Sequence, residues 1–296
     1  MNDAFNKTHP FVTFLYFALT IGFSMFLMHP VCIVISLFCA FLNAFCVNGG
    51  KTAVFTAKYV LPLIVVIMII NPVFNHRGMT IITYLPWQNP LTLESVIYGG
   101  ASAVMFGSVL LWFSLFNKVM TSDKIMYLFG RIIPSLSLVI SMTLRFVPRF
   151  IAQLKEVRTA QSCFDNHGEK QPLRKKFKGL IGAFSVMISW SLENAIETAD
   201  SMKSRGYGLK GRTAYSVFKF KKSDGVLLGI ILSSAAVLTA LICAGTVNYS
   251  YFPQFKFDFS GILSITFFAV YFFVMLIPFI TNVWEGLKWK RLRSAI

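Results

Sequence analysis

The sequence predicts an all-α polytopic membrane protein with about six transmembrane helices and a charged module between the fourth and the fifth. Three observations carry that prediction. Hydrophobic residues make up 55% of the 296 and charged residues only 14%, a balance unlike that of soluble globular domains. Charge-free windows recur at close to the ~20-residue length that a helix needs to cross a bilayer. The 28 Lys and Arg against 12 Asp and Glu leave a net charge of +16, and it is unevenly spread: residues 145–224 hold sixteen basic and seven acidic residues. Basic residues of membrane proteins collect in short cytoplasmic segments, so this block is expected inside the cell, and nucleic acid is not an expected partner.

Taken in order, the first two helices lie in a stretch without Asp, Glu, Lys or Arg between Lys7 and Lys51. The His29-Pro30 pair divides it into windows 11–28 and 31–47, joined by a tight turn. "MNDAFNKTHP" is a weakly basic start, and the long apolar segment after it has no small-residue cleavage site, so the first helix is expected to stay in the mature protein. The third window, 59–74, contains "LPLIVVIMII" and extends N-terminally past Lys58, whose stem reaches the interface. Windows 95–116, 225–246 and 261–281 supply the fourth, fifth and sixth. The segment "IIPSLSLVISMTL" lies between Arg131 and Arg145 with 13 uncharged residues. As helix it covers about 20 Å, too short for a ~30 Å hydrocarbon core, so it is expected at the inner interface or re-entering it. Six spans put both termini, the Lys51 loop and the basic "LKWKRLRSAI" tail inside. The loops "NHRGMTIITYLPWQNPLTLE" and "VNYSYFPQFKFDFS", poor in Lys and Arg and rich in Trp and Tyr, fall outside. The expected divisions are residues 1–116, four N-terminal helices; 117–224, the cytoplasmic or interfacial module; and 225–296, two C-terminal helices with a basic tail.

Several chemistries find no support. "GGKT", Gly49 to Thr52, resembles the end of a phosphate-binding loop, but that loop needs a glycine where Phe45 stands. Cys32, Cys39 and Cys46 recur every seven residues, which places Cys32 and Cys46 about 21 Å apart along a helix, too far to share a metal; they read as small packing residues. No zinc spacing, aspartate-rich pair or catalytic constellation is present, so no cofactor, metal or catalytic residue is expected. The spans carry almost no internal ionisable residues of the kind that mark an ion path. The chain is thus expected to move or hold something with energy supplied by a partner.

The charged block reads as helices. Phe150, Leu154, Val157, Gln161 and Phe164 follow a period near 3.6. After a loop with Asn166, His167 and Gly168 comes the basic "PLRKKFKG" and the moderately apolar "LIGAFSVMISWSL". A last helix, about 189–205, carries the stripe Leu192, Ile196, Ala199 and Met202, flanked by Glu193, Glu197 and Asp200. Arg205 suits the carbonyl end of its dipole, and Gly206 suits a left-handed cap. Two apolar stripes in one cytoplasmic loop need covers, which points to docking on another protein, and an arginine at a helix tip fits bidentate carboxylate contacts.

"ETADSMKSRGYG", Glu197 to Gly208, resembles the second Ala-Arg-Gly-type signature of the transmembrane T component of energy-coupling factor (ECF) transporters, the EcfT and CbiQ family. "NPVFNHRG" at 71–78, "LRFVPRF" at 144–150 and "EVRTAQ" at 156–161 match in the same order, so the likeness covers about 71–213. The resemblance implies coupling helices docked on two cytoplasmic ABC ATPases, a membrane part holding a small substrate-binding S component, and a bacterial cell membrane location. It also implies ATPase contact by Arg205, Gly206, Ser204 and Met202 at the second signature, and by Arg158, Ala160 and Gln161 at the first; no coupling arginine carries over to Phe164, which either plugs an apolar groove on its ATPase, or marks a preference for a particular partner, or leaves the first contact weaker. The chain departs from the pattern in having Ser162-Cys163-Phe164-Asp165 where the first signature ends in arginine and glycine, and Ser204 where alanine is usual. The function so implied is the coupling subunit of an importer for a vitamin or transition-metal micronutrient. A conventional ABC permease lining its own pathway, and a membrane enzyme or scaffold whose "RKKFK" binds anionic lipid, are the alternatives.

Overall fold

Two histidine–proline pairs open the first two helices. In the computed structural model, which describes residues 4–84, 90–130, 134–164, 173–207, 209, 218–253, 255–257 and 261–294, α1 (Pro10–Phe26) and α2 (Pro30–Asn48) each begin with proline at the first helical position. The preceding His9 and His29 accept the Phe11 and Val31 N–H groups on Nδ1, both at 3.3 Å. Proline's missing N–H costs nothing at a helix start, and a capping side chain satisfies a neighbouring orphan donor. The further helices are α3 (Gly50–Phe74), α4 (Leu93–Val119), α5 (Ser122–Gly130), α6 (Pro134–Phe164), α7 (Leu173–Ser204), α8 (Lys222–Cys243) and α9 (Ile262–Ser294). Two short antiparallel pairs lie between helices: β1 (Ile81–Tyr84) with β2 (Pro90–Thr92), and β3 (Tyr249–Ser250) with β4 (Lys256–Phe257).

Among the described residues, six helical segments are long and apolar enough to cross a membrane: α2, α3, α4, residues 177–204 of α7, α8, and residues 262–288 of α9. Five coincide with expected windows. The window 11–28 is α1, which at 17 residues is near the lower limit of ~17–25 residues for a spanning helix. The sixth, in α7, falls in the block read from charge as cytoplasmic. The chain forms two compact units, Met1–Ile125 with Phe218–Ile296, and Met126–Val217.

In the first unit α1, α2, α4 and α9 build a core around Trp112, Tyr16, Phe17, Phe267 and Tyr271, each under 2% exposed. Polar groups inside it serve the backbone. Pro278 lies within α9 and lacks the N–H that would bond the Val274 carbonyl one turn earlier. The Tyr16 hydroxyl donates to that carbonyl at 3.1 Å, and Asn43 Nδ2 donates to the next, Met275, at 3.0 Å. The α1 side chain thus satisfies the carbonyl that the proline leaves open in α9, as a membrane interior requires, and the α2 side chain adds a donor one residue on. Trp112 Nε1 donates to Ser36 Oγ at 3.2 Å, tying α4 to α2. Cys32 and Cys39 are buried free thiols, in keeping with packing residues.

Helix ends show why the remaining motifs exist. "GGKT" is the turn between α2 and α3: Gly49 sits at φ +61°, α3 begins at Gly50, and Thr52 Oγ1 donates back to the Ala44 carbonyl at 2.7 Å. Lys118 of α4 donates to the Val47 carbonyl at 2.9 Å and also to Asn48 Oδ1, capping α2. "NPVFNHRG" ends α3 and turns the chain toward α4. Asn71 Nδ2 donates to Ser102 Oγ at 3.2 Å, Thr92 Oγ1 to the Arg77 carbonyl at 2.8 Å, and Thr80 Oγ1 to the buried Glu94 at 2.6 Å. Gly78, at φ +143°, faces Glu94 so closely that a methyl there would come within 2.5 Å of its Oε2. Asp224, buried at the start of α8, accepts from the His9 and Lys221 backbone N–H groups at 3.3 and 3.0 Å. Asn282 accepts from the Phe5 N–H at 3.2 Å.

Candidate coupling surface

The second unit is chiefly α6 and α7, and both run longer than their sequence pieces suggested. The interfacial segment 132–144 and the amphipathic helix from Phe150 were expected apart. From Pro134 they form one 31-residue helix that passes through Pro148; Ile132 lies outside the described residues. Likewise "LRKKFKG" and the helix expected at 189–205 are one 32-residue helix. A single internal proline forfeits one hydrogen bond and kinks a helix without ending it, and α7 contains no proline.

Two sets of contacts give the pair its geometry. Phe150 meets Trp190 edge-on at 5.5 Å between ring centroids, and the Arg149 guanidinium lies 5.6 Å from the same indole centroid, a cation–π arrangement. Eleven residues on, Gln161 reaches α7 at a notch of small residues. With its amide oriented to satisfy both partners, the nitrogen donates to the Gly179 carbonyl at 3.3 Å and the oxygen accepts from the Ala183 N–H at 3.1 Å. Those two backbone groups are one helical i, i+4 pair, so the amide is keyed over a single rung. A methyl at Gly182 would stand 3.5 Å from Gln161 Nε2, which shows how closely the helices approach. Residue 150 meets 190 and residue 161 meets about 181, so α6 and α7 run antiparallel.

This antiparallel course separates the two signature ends. The first ends at Phe164, close along the hairpin to the start of α7, and the second at Arg205. From residue 181 to 205 is 24 residues, about 36 Å of helix. Surfaces that far apart cannot share one small contact.

At the Arg205 end the helix stops where the sequence predicts. Gly206 has φ +72°; its N–H bonds the Lys203 carbonyl and the Tyr207 N–H bonds the Met202 carbonyl, both at 3.0 Å. This is a Schellman closure with glycine at the left-handed position. Arg205 is exposed at the cap, Ser204 is exposed and donates to the Ser201 carbonyl at 2.9 Å, and Met202 is half-buried. On the stripe leading there Leu192 and Ile196 are 62% and 66% exposed, and Ala199, Glu193, Glu197 and Asp200 are exposed. At the other signature Arg158 and Ala160 are exposed and Gln161 half-buried. Phe164 is the last residue of α6, while its side chain, Asp165 and the Asn166–Gly168 loop lie outside the described residues.

The two stripes therefore differ. Phe150, Leu154, Val157 and Gln161 are half-buried, and Phe150 and Gln161 touch α7 of the same chain, so this stripe has a cover that the sequence reading assigned to a partner. The α7 stripe has none among the described residues. Sequence reasoning passed over Gly179, Gly182, Ala183 and Trp190, which receive α6. Their signal is the small-residue spacing of "GLIGA", legible only once the partner helix is known.

The family model for CbiQ, described as cobalt transport protein, matches residues 5–215. The chain belongs to the CbiQ family. Its relatives include the energy-coupling factor transporter transmembrane protein EcfT of Bacillus selenitireducens, 27% identical over 191 residues that cover 61% of this chain and 71% of the relative. EcfT of Lacticaseibacillus paracasei is 27% identical over 218 residues, covering 70% and 81%. EcfT of Lactobacillus helveticus is 32% identical over a shorter 107 residues, 36% and 39%. Membership accords with the resemblance read from 71–213 and extends it to the N-terminal helices. With its six apolar segments, this CbiQ-family chain is a multi-pass bacterial membrane protein.

Proposed function

We propose that the chain is the transmembrane coupling (T) subunit of an ECF-type importer for a vitamin or transition-metal micronutrient. It carries no catalytic residue; ATP hydrolysis belongs to two cytoplasmic ABC ATPases, and substrate binding to a small membrane S component. Both termini and residues 117–224 lie on the cytoplasmic side in this reading, with membrane helices in 1–116 and 225–296. The observation that carries it is the second signature's form within a CbiQ-family chain: an arginine exposed on a glycine-closed helix tip, beside an uncovered stripe of Leu192 and Ile196.

The mechanism follows from helix rigidity. Arg205 presents a planar fork of donors suited to a carboxylate on an ATPase, and the flanking apolar side chains fill its groove. When ATP closes the ATPases, a 32-residue helix held to α6 by Gln161 and Trp190 moves as a lever, because pulling its tip cannot be absorbed by local bending. Arg158, Ala160 and Phe164 serve the other ATPase at the opposite end, with Phe164 filling a groove where the family signature has arginine.

Arg205→Ala tests the reading. Loss of a desolvated charge partner at an interface costs about 2–5 kcal/mol, so ATPase retention on the purified chain should fall by roughly tenfold or more and uptake with it, while membrane insertion is unchanged. Uptake and retention equal to wild type would remove Arg205 from the mechanism.

A further inference from the structure

Among the described residues the buried Asp, Glu, Lys and Arg side chains are Glu94, Lys124 and Asp224. Glu94 holds the turn between α3 and α4 at Thr80. The other two stand where the chain passes between its units, which it does after Ile125 and again before Phe218. Lys124, in the first turn of α5, reaches back over the buried Met120 and donates from Nζ to the Val119 carbonyl at 3.0 Å. The Lys124 and Ile125 N–H groups close the same turn on the Thr121 carbonyl, at 3.0 and 3.1 Å. At the return, Asp224 Oδ2 accepts from the Lys221 N–H and Oδ1 from the His9 N–H, so one carboxylate ties the start of α8 to the start of α1. The Phe220 ring meets the His9 imidazole edge-on at 5.2 Å. Helix polarity favours both charges. Val119 ends α4, where carbonyls lack intrahelical donors and the dipole is negative, and His9 and Lys221 precede helices whose first N–H groups make a positive end. Removing either side chain strands a buried polar partner.

We infer that Lys124 and Asp224 are positioning residues that fix both chain crossings to the first unit, so that α6 and α7 move from two held ends. The motion rests on the coupling reading above; the anchors rest on the geometry alone. Without Lys124, a pull on α6 is taken up in the turn at Met120 and Thr121. Without Asp224, a pull on the α7 tip is taken up in residues 218–221. Capping would stabilise these helix ends and do nothing more. Anchoring adds the demand that both crossings stay in place while the tip of α7 is displaced.

The test measures distances between paired nitroxides by electron–electron resonance. The full chain is purified from its native membrane with whatever it retains and placed in nanodiscs, with Cys46, Cys163 and Cys243 replaced by serine. Asp123→Cys with Lys219→Cys, both at exposed positions, reports the two crossings; Asp123→Cys with Asp200→Cys reports the far part of α7. On addition of a non-hydrolysable ATP analogue the 123–200 distance should shift, while the 123–219 distribution stays narrow and unmoved. Lys124→Met or Asp224→Asn should broaden the 123–219 distribution before any nucleotide is added, and let it shift with nucleotide. Glu94→Gln, which alters a buried charge away from the crossings, should leave it narrow even where it lowers thermal stability as much. If one variant fails to fold, the other carries the same test at its own crossing. A 123–219 distribution that stays narrow in the variants, or that shifts with nucleotide when Lys124 and Asp224 are intact, would overturn the anchors. A 123–200 distance that ignores nucleotide in the same intact background would instead overturn the coupling reading, and the nucleotide-free widths would still decide the anchors.

Discussion

The two units differ in what they bury. The first holds nearly all of the buried apolar side chains, Trp112, Tyr16, Phe17, Phe267, Tyr271 and Met275 among them. In the second, Ala183 alone among the described residues is a buried hydrophobic. Length does not explain this, because α6 and α7, at 31 and 32 residues, are among the longest helices in the chain. What differs is that the first unit packs a core within itself, where Tyr16 and Asn43 donate to the Val274 and Met275 carbonyls next to Pro278. The second leaves Ile181, Phe184, Leu192 and Ile196 open. A unit of that kind is complete only against other surfaces, which is the property a coupling element needs.

The contrast can be broken most sharply at Trp112. Truncating a fully buried indole, Trp112→Ala, should cost about 3–5 kcal/mol and lower the thermal unfolding temperature of the purified chain markedly; an unchanged temperature would mean the first unit is not the self-sufficient core. Next comes the Pro278 gap. Tyr16→Phe strands the Val274 carbonyl and should cost about 1–3 kcal/mol. In a Pro278→Ala background the backbone can supply its own donor, and the same change should become nearly neutral. Equal losses in both backgrounds would show that the phenol does not serve the proline.

Smaller effects belong to the second unit. Gly206→Ala forces a side chain into a left-handed conformation costing about 1–2 kcal/mol. It should speed amide exchange in the last turn of α7 while leaving the membrane core's protection untouched. Ile196→Gln, on an exposed stripe, should change the stability of the isolated chain by less than about 0.5 kcal/mol, yet weaken retention of the ATPases. If it destabilised the chain as much as Trp112→Ala, the stripe would be internal packing rather than an open surface.

Much of this was legible beforehand, and particular residues explain where legibility stopped. Windows 31–47, 59–74 and 95–116 became α2, α3 and α4 because long charge-free runs leave a helix no alternative in a bilayer. Gly206 was readable because a glycine after a cationic turn has one common use. Joining 134–164 into one helix was not readable: Arg145 and Pro148 look like boundaries, and only packing against Trp190 shows the helix continuing. The cover over Phe150 and Gln161 was hidden for the same reason, since it depends on α7 presenting Gly179 and Ala183 at the right height. The small strand pairs at Ile81 and Tyr249 sit in segments whose composition suggested only interfacial loops.

One measurement tests the central claim most directly: affinity purification of the tagged chain from its native membrane in mild detergent, with mass spectrometry of everything retained. A coupling subunit should bring down two ATPase chains and a small, strongly apolar membrane protein, whose identity would indicate the substrate. Retention of ATPases with no such membrane partner would point instead to a permease lining its own pathway, and retention of neither would contradict the coupling function outright.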